Sequence, residues 1–362
     1  MTETPRPPKQ EQEDASSEIA EVAPGILRLQ LPISLPGLGH VNTYALEDAD
    51  GFALVDPGLP GEQSWNVLLA RMDAAGIPMK RVHHVIVTHS HPDHFGGAGM
   101  LAEESGADIV ASSFFRTFFD PKDNGDEREF ETKDPALEPL DPAEEDEKQL
   151  MERFSMPSPW GGDGGTLKGE ERQIMMARRK EMFDWFRAPR PTIHLDDADR
   201  ITLAGREWVG VYTPGHTNDH LCLFDPEEGV LLSGDHVLPT ITPHISGLIE
   251  GDPLKAYLES LDRVASFDGV TTVLPAHGHP FHDLSGRVDA IKEHHAERLD
   301  LLRQASERRG WATVNQLMQD LFRERSWSHM AESETYAHLE HLRYLGDAER
   351  REEAGYLLYL VP

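Results

Sequence analysis

Short apolar runs separated by turn residues dominate the first half of the chain. GILRLQL, VNTYAL, GFALVD and RVHHVIVTH each read as a strand, and ADIVAS follows as another. Between the third and fourth runs lies GEQSWNVLLARMDAAG, where Trp65, Leu68, Leu69 and Met72 recur at helical spacing and Gly76 suits a C-terminal cap. Further on, DRITLAG, REWVGVYTPG, the pair DHLCLFD and GVLLSGD around the turn PEEG, and GVTTVLPAHG carry strand signals. Strands first in a meander and then interleaved with helices predict an α/β sandwich with its sheets packed between helices.

Three segments depart from that plan. The residues through Val22 are rich in Pro, Gln and acid without an apolar period, which predicts a disordered acidic tail (1–22) with order beginning near Ala23. Residues 114–190 form an insertion. Its stretch from Asp120 to Leu150 holds 13 acidic and 4 basic side chains, and SPWGGDGG and the helical candidate EERQIMMARRKEMFDWF follow. Met156, Trp160, Met175, Met176, Met182, Trp185 and Phe186 need an apolar surface to cover, which predicts a lid; the other reading is a solvated linker with a short helix. GGDGG reads as a hinge, since no GK[ST] ending and no preceding strand mark it as a phosphate loop. After Phe281 the period becomes helical. Val288, Ile291, His295, Leu299 and Leu302 make one stripe, Val314, Leu317, Met318 and Leu321 a second, and Tyr336, Leu339, Leu342 and Leu345 a third. A β-like end, AGYLLYLV, closes the chain. Three helices and a terminal strand pair, with the charged turn DAERREE between them, resemble a winged-helix module spanning 284–362, which leaves 23–283 as the main domain.

Composition narrows the function classes. The chain has 362 residues, a formal net charge of −30 and one cysteine. Phosphate contacts come from Lys and Arg, so this charge disfavours a nucleic-acid partner. The N-terminus has no apolar signal region and no stretch is long enough for a membrane span, which makes a cytoplasmic protein the expectation, with no membrane partner. Cys222, inside LCLF, reads as a small buried hydrophobe.

The chemistry sits in VIVTHSHPDHFGG. A buried-strand signature is followed within six residues by His89, His91, Asp93 and His94, a mixture of imidazole nitrogens and carboxylate oxygens that Zn²⁺, Fe²⁺ or Mn²⁺ accepts. In extended backbone His89 and His91 point the same way, and Asp93 and His94, beyond the proline turn, face a second position. Three later strands each end in one further candidate: His216 in TPGHT, Asp235 in SGDH and His277 in PAHGH. Strand C-termini are the usual place for α/β active sites. Seven candidates suffice for two metal ions.

In this order and spacing the motifs resemble the metallo-β-lactamase superfamily, and within it the glyoxalase-II-like hydrolases, over roughly Ile26 to Phe281. The resemblance implies a four-layer αββα sandwich. It also implies one ion on His89, His91 and His216, a second on Asp93, His94 and His277, and Asp235 with a water or hydroxide bridging the two. Asp56 in FALVDPG would orient a ligand imidazole. The implied cofactors are two divalent ions, zinc first, with iron or manganese as alternatives. A bound divalent ion lowers the pKa of water from 15.7 to about 7, so hydrolysis is the natural reaction. A thioester needs no strong general acid, whereas an alkoxide or amide leaving group wants a proton donor, for which Asp93, His220 and His236 stand near; each of the two histidines also reads as a supporting residue.

The tail bears on the substrate. A metallo-β-lactamase domain followed by a winged-helix-like module resembles the beta-lactamase-like-protein-2 group, which includes single-strand endoribonucleases. From Trp311 onward there are 9 acidic and 5 basic residues, a balance that favours packing or a homodimer contact over reading nucleic acid. Three readings therefore stand: a hydrolase of a small-molecule thioester, ester or lactone; a metal-dependent endoribonuclease; and a winged-helix regulatory or scaffold protein whose metal domain only binds.

Overall fold

The computed structural model describes residues 9–35, 37–117, 158–162 and 185–362. Two sheets face each other. The first runs in the order β1 (Ala20–Ala23), β2 (Ile26–Leu35), β3 (Leu38–Glu47), β4 (Phe52–Val55), β5 (Val82–Ile86), β6 (Asp108–Ala111) and β7 (Ile193–His194). Strands β2 to β4 form the antiparallel meander that the turn residues predict, β1 pairs antiparallel with β2 ahead of it, and from β4 onward the pairing is parallel. The second sheet holds β8 (Arg200–Leu203), β9 (Arg206–Tyr212), β10 (Leu221–Asp225), β11 (Val230–Gly234) and β12 (Thr272–Pro275), antiparallel except for the β11–β12 pair.

Side-chain alternation builds the layers. Along β4 and β5, Leu54 and Val85 point to one face and Val55 and Ile86 to the other, and both faces are covered. The outer face carries α1 (Glu62–Ala74) and α3 (Ala98–Ser105) through Trp65, Leu68, Met72 and Leu101. The inner face meets Trp208, Leu221, Leu223, Leu232 and Leu274 of the second sheet. That sheet's far face, with Cys222 and Leu231, is covered by α4 (Pro253–Ala265) and by the first half of α5 (Leu284–Arg309). The order of layers is helix, sheet, sheet, helix. Cys222 is fully buried and burial pushes its thiol up to about 12, as expected of a small apolar filler. Helix α4 carries a signal that the pattern reading passed over: Asp252 caps it by accepting from the Lys255 N–H at 3.0 Å, Pro253 opens it, and Leu254, Tyr257, Leu261 and Val264 line one face.

The second half of α5 leaves the sandwich and joins α6 (Val314–Leu321), α7 (His329–Leu345) and a small sheet of β13 (Ala312–Thr313), β15 (Tyr356–Leu360) and β14 (Glu349–Glu353), paired in that order. Leu302, Leu317, Leu339, Leu342 and Tyr359 form its core. Two details differ from the sequence reading. ERREE is a strand, its five exposed side chains held by backbone pairing with β15, and the turn falls at Ala354–Gly355. Leu345, placed in the third apolar stripe, is exposed.

The N-terminal segment is also corrected. Residues 9–22 are not a loose tail. Glu11 is fully buried and accepts the Thr240 N–H at 2.7 Å, the Ile241 N–H at 3.1 Å and the Thr240 hydroxyl, and β1 begins at Ala20. A buried carboxylate with three donors holds a chain as firmly as an apolar residue does, and hydropathy does not reveal it. Replacing Glu11 by Ala takes the partner from the part-buried Thr240 and Ile241 N–H groups and is expected to cost about 2 kcal/mol. Denaturant unfolding at constant slope checks this, with Glu11→Gln recovering part of the loss; an unchanged midpoint would mean the strap contributes nothing.

The acidic stretch Asp120–Leu150, the helical candidate before Trp185, and Met156, Met175, Met176 and Met182 lie outside the described residues. The other three apolar members assigned to a lid are packed into cores. Phe186 sits 5.9 Å from the Phe95 ring centroid, and Trp185 packs on the same cluster. Trp160 is buried in the C-terminal core, where its indole N–H donates to Glu332 at 3.1 Å and its carbonyl accepts from Leu357 at 3.0 Å. Gly161, assigned to a hinge, has φ 94° and an added Cβ would meet the Gly355 carbonyl at 2.2 Å, so it is needed for close approach.

Candidate metal centre

Strand ends from both sheets converge on one site. The chain leaves β5 through Thr88 to His89 and His91, and Pro92 opens the single-turn helix α2 (Pro92–Phe95) that carries Asp93 and His94. His216 follows β9, Asp235 follows β11 and His277 follows β12. Asp93, His94, His216, Asp235, His277 and His89 are buried, and His91 is half-buried.

The seven residues form two groups. His89, His91, His216 and Asp235 bring one ligand atom each within 4.8 Å of one another, and so do Asp93, His94 and His277. In the first group His91 Nδ1 lies 3.0 Å from His89 Nε2 and 3.1 Å from His216 Nε2. In the second, Asp93 Oδ2 lies 3.6 Å from His94 Nε2 and 3.5 Å from His277 Nε2. Asp235 touches both: its Oδ2 is 3.5 Å from His216 Nε2 and 3.6 Å from His94 Nε2, and its Oδ1 is 3.2 Å from His277 Nε2.

Backbone carbonyls and one carboxylate aim the rings. His216 Nδ1–H donates to the His244 carbonyl at 2.7 Å, and His277 Nδ1–H donates to the His40 carbonyl at 2.6 Å. A carbonyl only accepts, so the proton is on Nδ1 and Nε2 presents its lone pair to the site. His94 Nδ1–H donates to Asp56 at 2.9 Å, and the same carboxylate accepts the Thr88 N–H at 2.9 Å and the Thr88 hydroxyl at 2.8 Å. Asp56 adopts φ 52°, a left-handed conformation costly for a residue with a Cβ, held by the Thr43 hydroxyl on its carbonyl and by its own N–H on Ile86.

His220 lies behind Asp235. Its Nε2 accepts the Asp235 N–H at 3.1 Å while Nδ1 faces the Thr213 hydroxyl at 2.8 Å, so both nitrogens are engaged. An added Cβ at Gly234 would come within 2.7 Å of that Nε2, which is why the turn before Asp235 is glycine. His236 packs edge-on against Tyr257 at 5.2 Å and neither of its ring nitrogens finds a hydrogen bond among the described residues; burial lowers its pKa to about 3.

Electrostatics divides the two groups. Burial, reinforced by neighbouring imidazoles, holds His89 and His91 far below the usual histidine range. Burial works the same way on His94 and His277, but Asp235 and Asp93 reverse it and raise both. Burial would raise Asp235, and His277 with His94 bring it well below the carboxylate range. The site thus gathers positive charge around two carboxylates. His94 Nε2, His277 Nε2 and Asp235 Oδ1 are buried and make no hydrogen bond of good geometry among the described residues, yet they lie 3.2–3.6 Å from an opposite partner, an arrangement that a shared cation would satisfy. The donor set fits divalent metal ions.

His40 and His244 escaped the sequence reading. They act on His277 and His216 through backbone carbonyls, and a carbonyl leaves no mark on residue type. The signal for His40 was its place before VNTY at the start of a mostly buried strand.

The arrangement has relatives. A crystal structure of a metallo-beta-lactamase family protein from Thermus thermophilus is 28% identical with a TM-score of 0.71, covering 94% of this chain and 100% of its own. A beta-lactamase domain protein from Burkholderia ambifaria is 27% identical with a TM-score of 0.73, covering 97% and 96%. Both likenesses reach past His277 into the C-terminal helices. Among curated proteins, a probable metallo-hydrolase of Bacillus subtilis (strain 168) is 23% identical over 304 residues, 82% of this chain and 85% of its own. A beta-lactamase-like protein 2 homolog of Caenorhabditis elegans is 22% identical over 293 residues, 80% of this chain and 73% of its own. Residues 36–277, from the hairpin before β3 to the last histidine of the cluster, match the metallo-beta-lactamase superfamily, and the chain belongs to it.

Proposed function

We propose that this superfamily member is a dinuclear metal-dependent hydrolase of a small-molecule thioester or ester, of the glyoxalase-II-like kind. His89, His91 and His216 would hold one ion and Asp93, His94 and His277 the other, with Asp235 within reach of both. The observation that carries this reading is the reach of Asp235, whose two oxygens lie within 3.2–3.6 Å of His216, His94 and His277. Zinc is the preferred ion, since imidazole and carboxylate donors suit it. Bound there, two divalent ions supply a water acidified to a pKa of about 7 and a Lewis acid for the substrate's carbonyl. The chain's own contribution is to hold the imidazoles in place beforehand, through Asp56, the His40 and His244 carbonyls and the His220 ring behind Asp235. Both nitrogens of His220 are committed and His236 faces Tyr257, so Asp93 is left as the proton carrier among the three candidates. A thiolate leaving group, with a thiol pKa of about 8.5, needs the least help from it.

We read the C-terminal helices and three-stranded sheet as a winged-helix-like module that serves packing. From Trp311 onward its 9 acidic and 5 basic residues weigh against nucleic acid and so against the endoribonuclease reading. No described helix is long and apolar enough to cross a membrane. The test is turnover of a panel of acyl thioesters, lactones and single-stranded RNA by protein loaded with zinc, iron or manganese. Two ions per chain and thiol release from a thioester are expected. Cleavage of RNA alone, with salt-dependent binding, would replace this reading by the endoribonuclease one, and failure to bind metal would sink both.

A further inference from the structure

The loop between β11 and α4 lies between the metal centre and the C-terminal helices, and it is fixed from both sides. Toward the site, the His244 carbonyl accepts from His216 at 2.7 Å. Toward α7, His244 Nδ1 stands 3.6 Å from Glu334 Oε2, and Arg298 of α5 holds the other oxygen of that carboxylate at 3.5 Å. Three residues on, the Gly247 N–H donates to the Ser333 hydroxyl at 3.0 Å. The fit there is close, since an added Cβ at Gly247 would meet both the Ser333 carbonyl and the Tyr336 ring at 2.6 Å. Ile245 between them is fully buried in the cluster beneath α4 and α5. Glu334 is itself strongly held: burial raises its carboxyl, and His244 and Arg298 more than reverse this, to about 2.

We propose that Glu334, from the C-terminal module, is a positioning residue for the metal centre: with Ser333 it clamps the His244–Gly247 loop, and the His244 carbonyl in turn sets the ring of His216. The proposal rests on the dinuclear reading above. It makes the module a working part of one of the two ion sites. His277 is anchored elsewhere, by His40, so the effect is confined to the ion held by His89, His91 and His216.

That confinement gives the test. In a His94→Ala background the three-histidine group is the intact site, and adding Glu334→Ala is expected to raise its zinc dissociation constant about tenfold, the range for residues that orient ligands from outside. Glu334→Gln, which keeps one acceptor oxygen in place of two, should recover part of the affinity. In a His91→Ala background, which leaves Asp93, His94 and His277, Glu334→Ala should change zinc affinity less than twofold. Asp320→Ala, which removes an exposed pair with Arg309 on the same module, serves as the control for general loosening. Competition with a chromophoric chelator measures all of these, and the visible spectrum of the cobalt-loaded protein reports the geometry independently. Equal weakening of both sites, or weakening by Asp320→Ala, would reduce Glu334 to a stability residue and overturn the proposal. Unchanged affinity in the Glu334 variants would do the same while leaving the dinuclear reading intact, whereas failure of the wild-type protein to bind two ions would remove that reading first. Should Glu334→Ala not fold, Ser333→Ala carries the same expectation.

Discussion

Replacing Asp235 by Ala is expected to lower thioester hydrolysis about a thousandfold and to leave the protein with no more than one ion per chain. The size follows from what the carboxylate does. Its carboxylate oxygens reach imidazoles of both groups, 3.2 Å from His277 and 3.5 Å from His216. Losing it removes the electrostatic support of the reacting groups, worth about 4 kcal/mol in sites of this kind, and about 1.4 kcal/mol is a factor of ten in rate. Asp235→Asn keeps the size and one acceptor oxygen but not the charge, and should fall between. Metal analysis and initial rates on the same preparations check this. Undiminished turnover in Asp235→Ala would end the shared-carboxylate reading.

Acid should unfold the metal-free protein unusually early, with most structure lost by about pH 5. His236, His295 and His338 are buried and carry pKa values lowered by burial; for His295 the neighbouring His338, at 3.0 Å, adds to it. An unfolded histidine titrates near 6.5, so below that pH the unfolded chain binds protons that the folded one refuses. The penalty is absent above about pH 6.5 and grows as pH falls, by roughly 1.4 kcal/mol per unit for each such group. Three of them remove about 4 kcal/mol per unit, against a total stability of about 5–15 kcal/mol. Circular dichroism during acid titration of the chelated protein measures the midpoint, and His295→Gln should move it downward. A midpoint below about pH 4 would mean that these histidines find protons without unfolding.

Most of the fold and all seven members of the clusters were legible in the sequence, because each follows an apolar run at a strand end. Val85, Ile86 and Val87 announce a strand buried on both faces, and a polar residue just past it has few reasons to be there except chemistry. What could not be read acts through groups every residue has. The carbonyls of His40 and His244 orient two rings, and no spacing rule reports a carbonyl. Glu11 looked like one acid among many in a polar segment, and only its three donors distinguish it. Helix α4 was missed although its cap and apolar stripe were present, since the reading there followed strands. The ERREE strand lacks every side-chain signal of a strand and owes its form to the partner, β15.

The hydrogen bond from His277 to the His40 carbonyl spans 237 positions of the chain. His40 in turn donates from Nδ1 to the Glu13 carbonyl at 2.8 Å, while His216 depends on a loop seated against α7. On the dinuclear reading, one ion site would thus be completed by residues near the beginning of the sequence and the other by residues near its end. Contacts of such separation form late, because the entropy of closing the loop must be met before they give anything back. Half-made protein has the His89 to His94 segment and little to complete it, so on that reading metal capture would be a signature of a finished molecule.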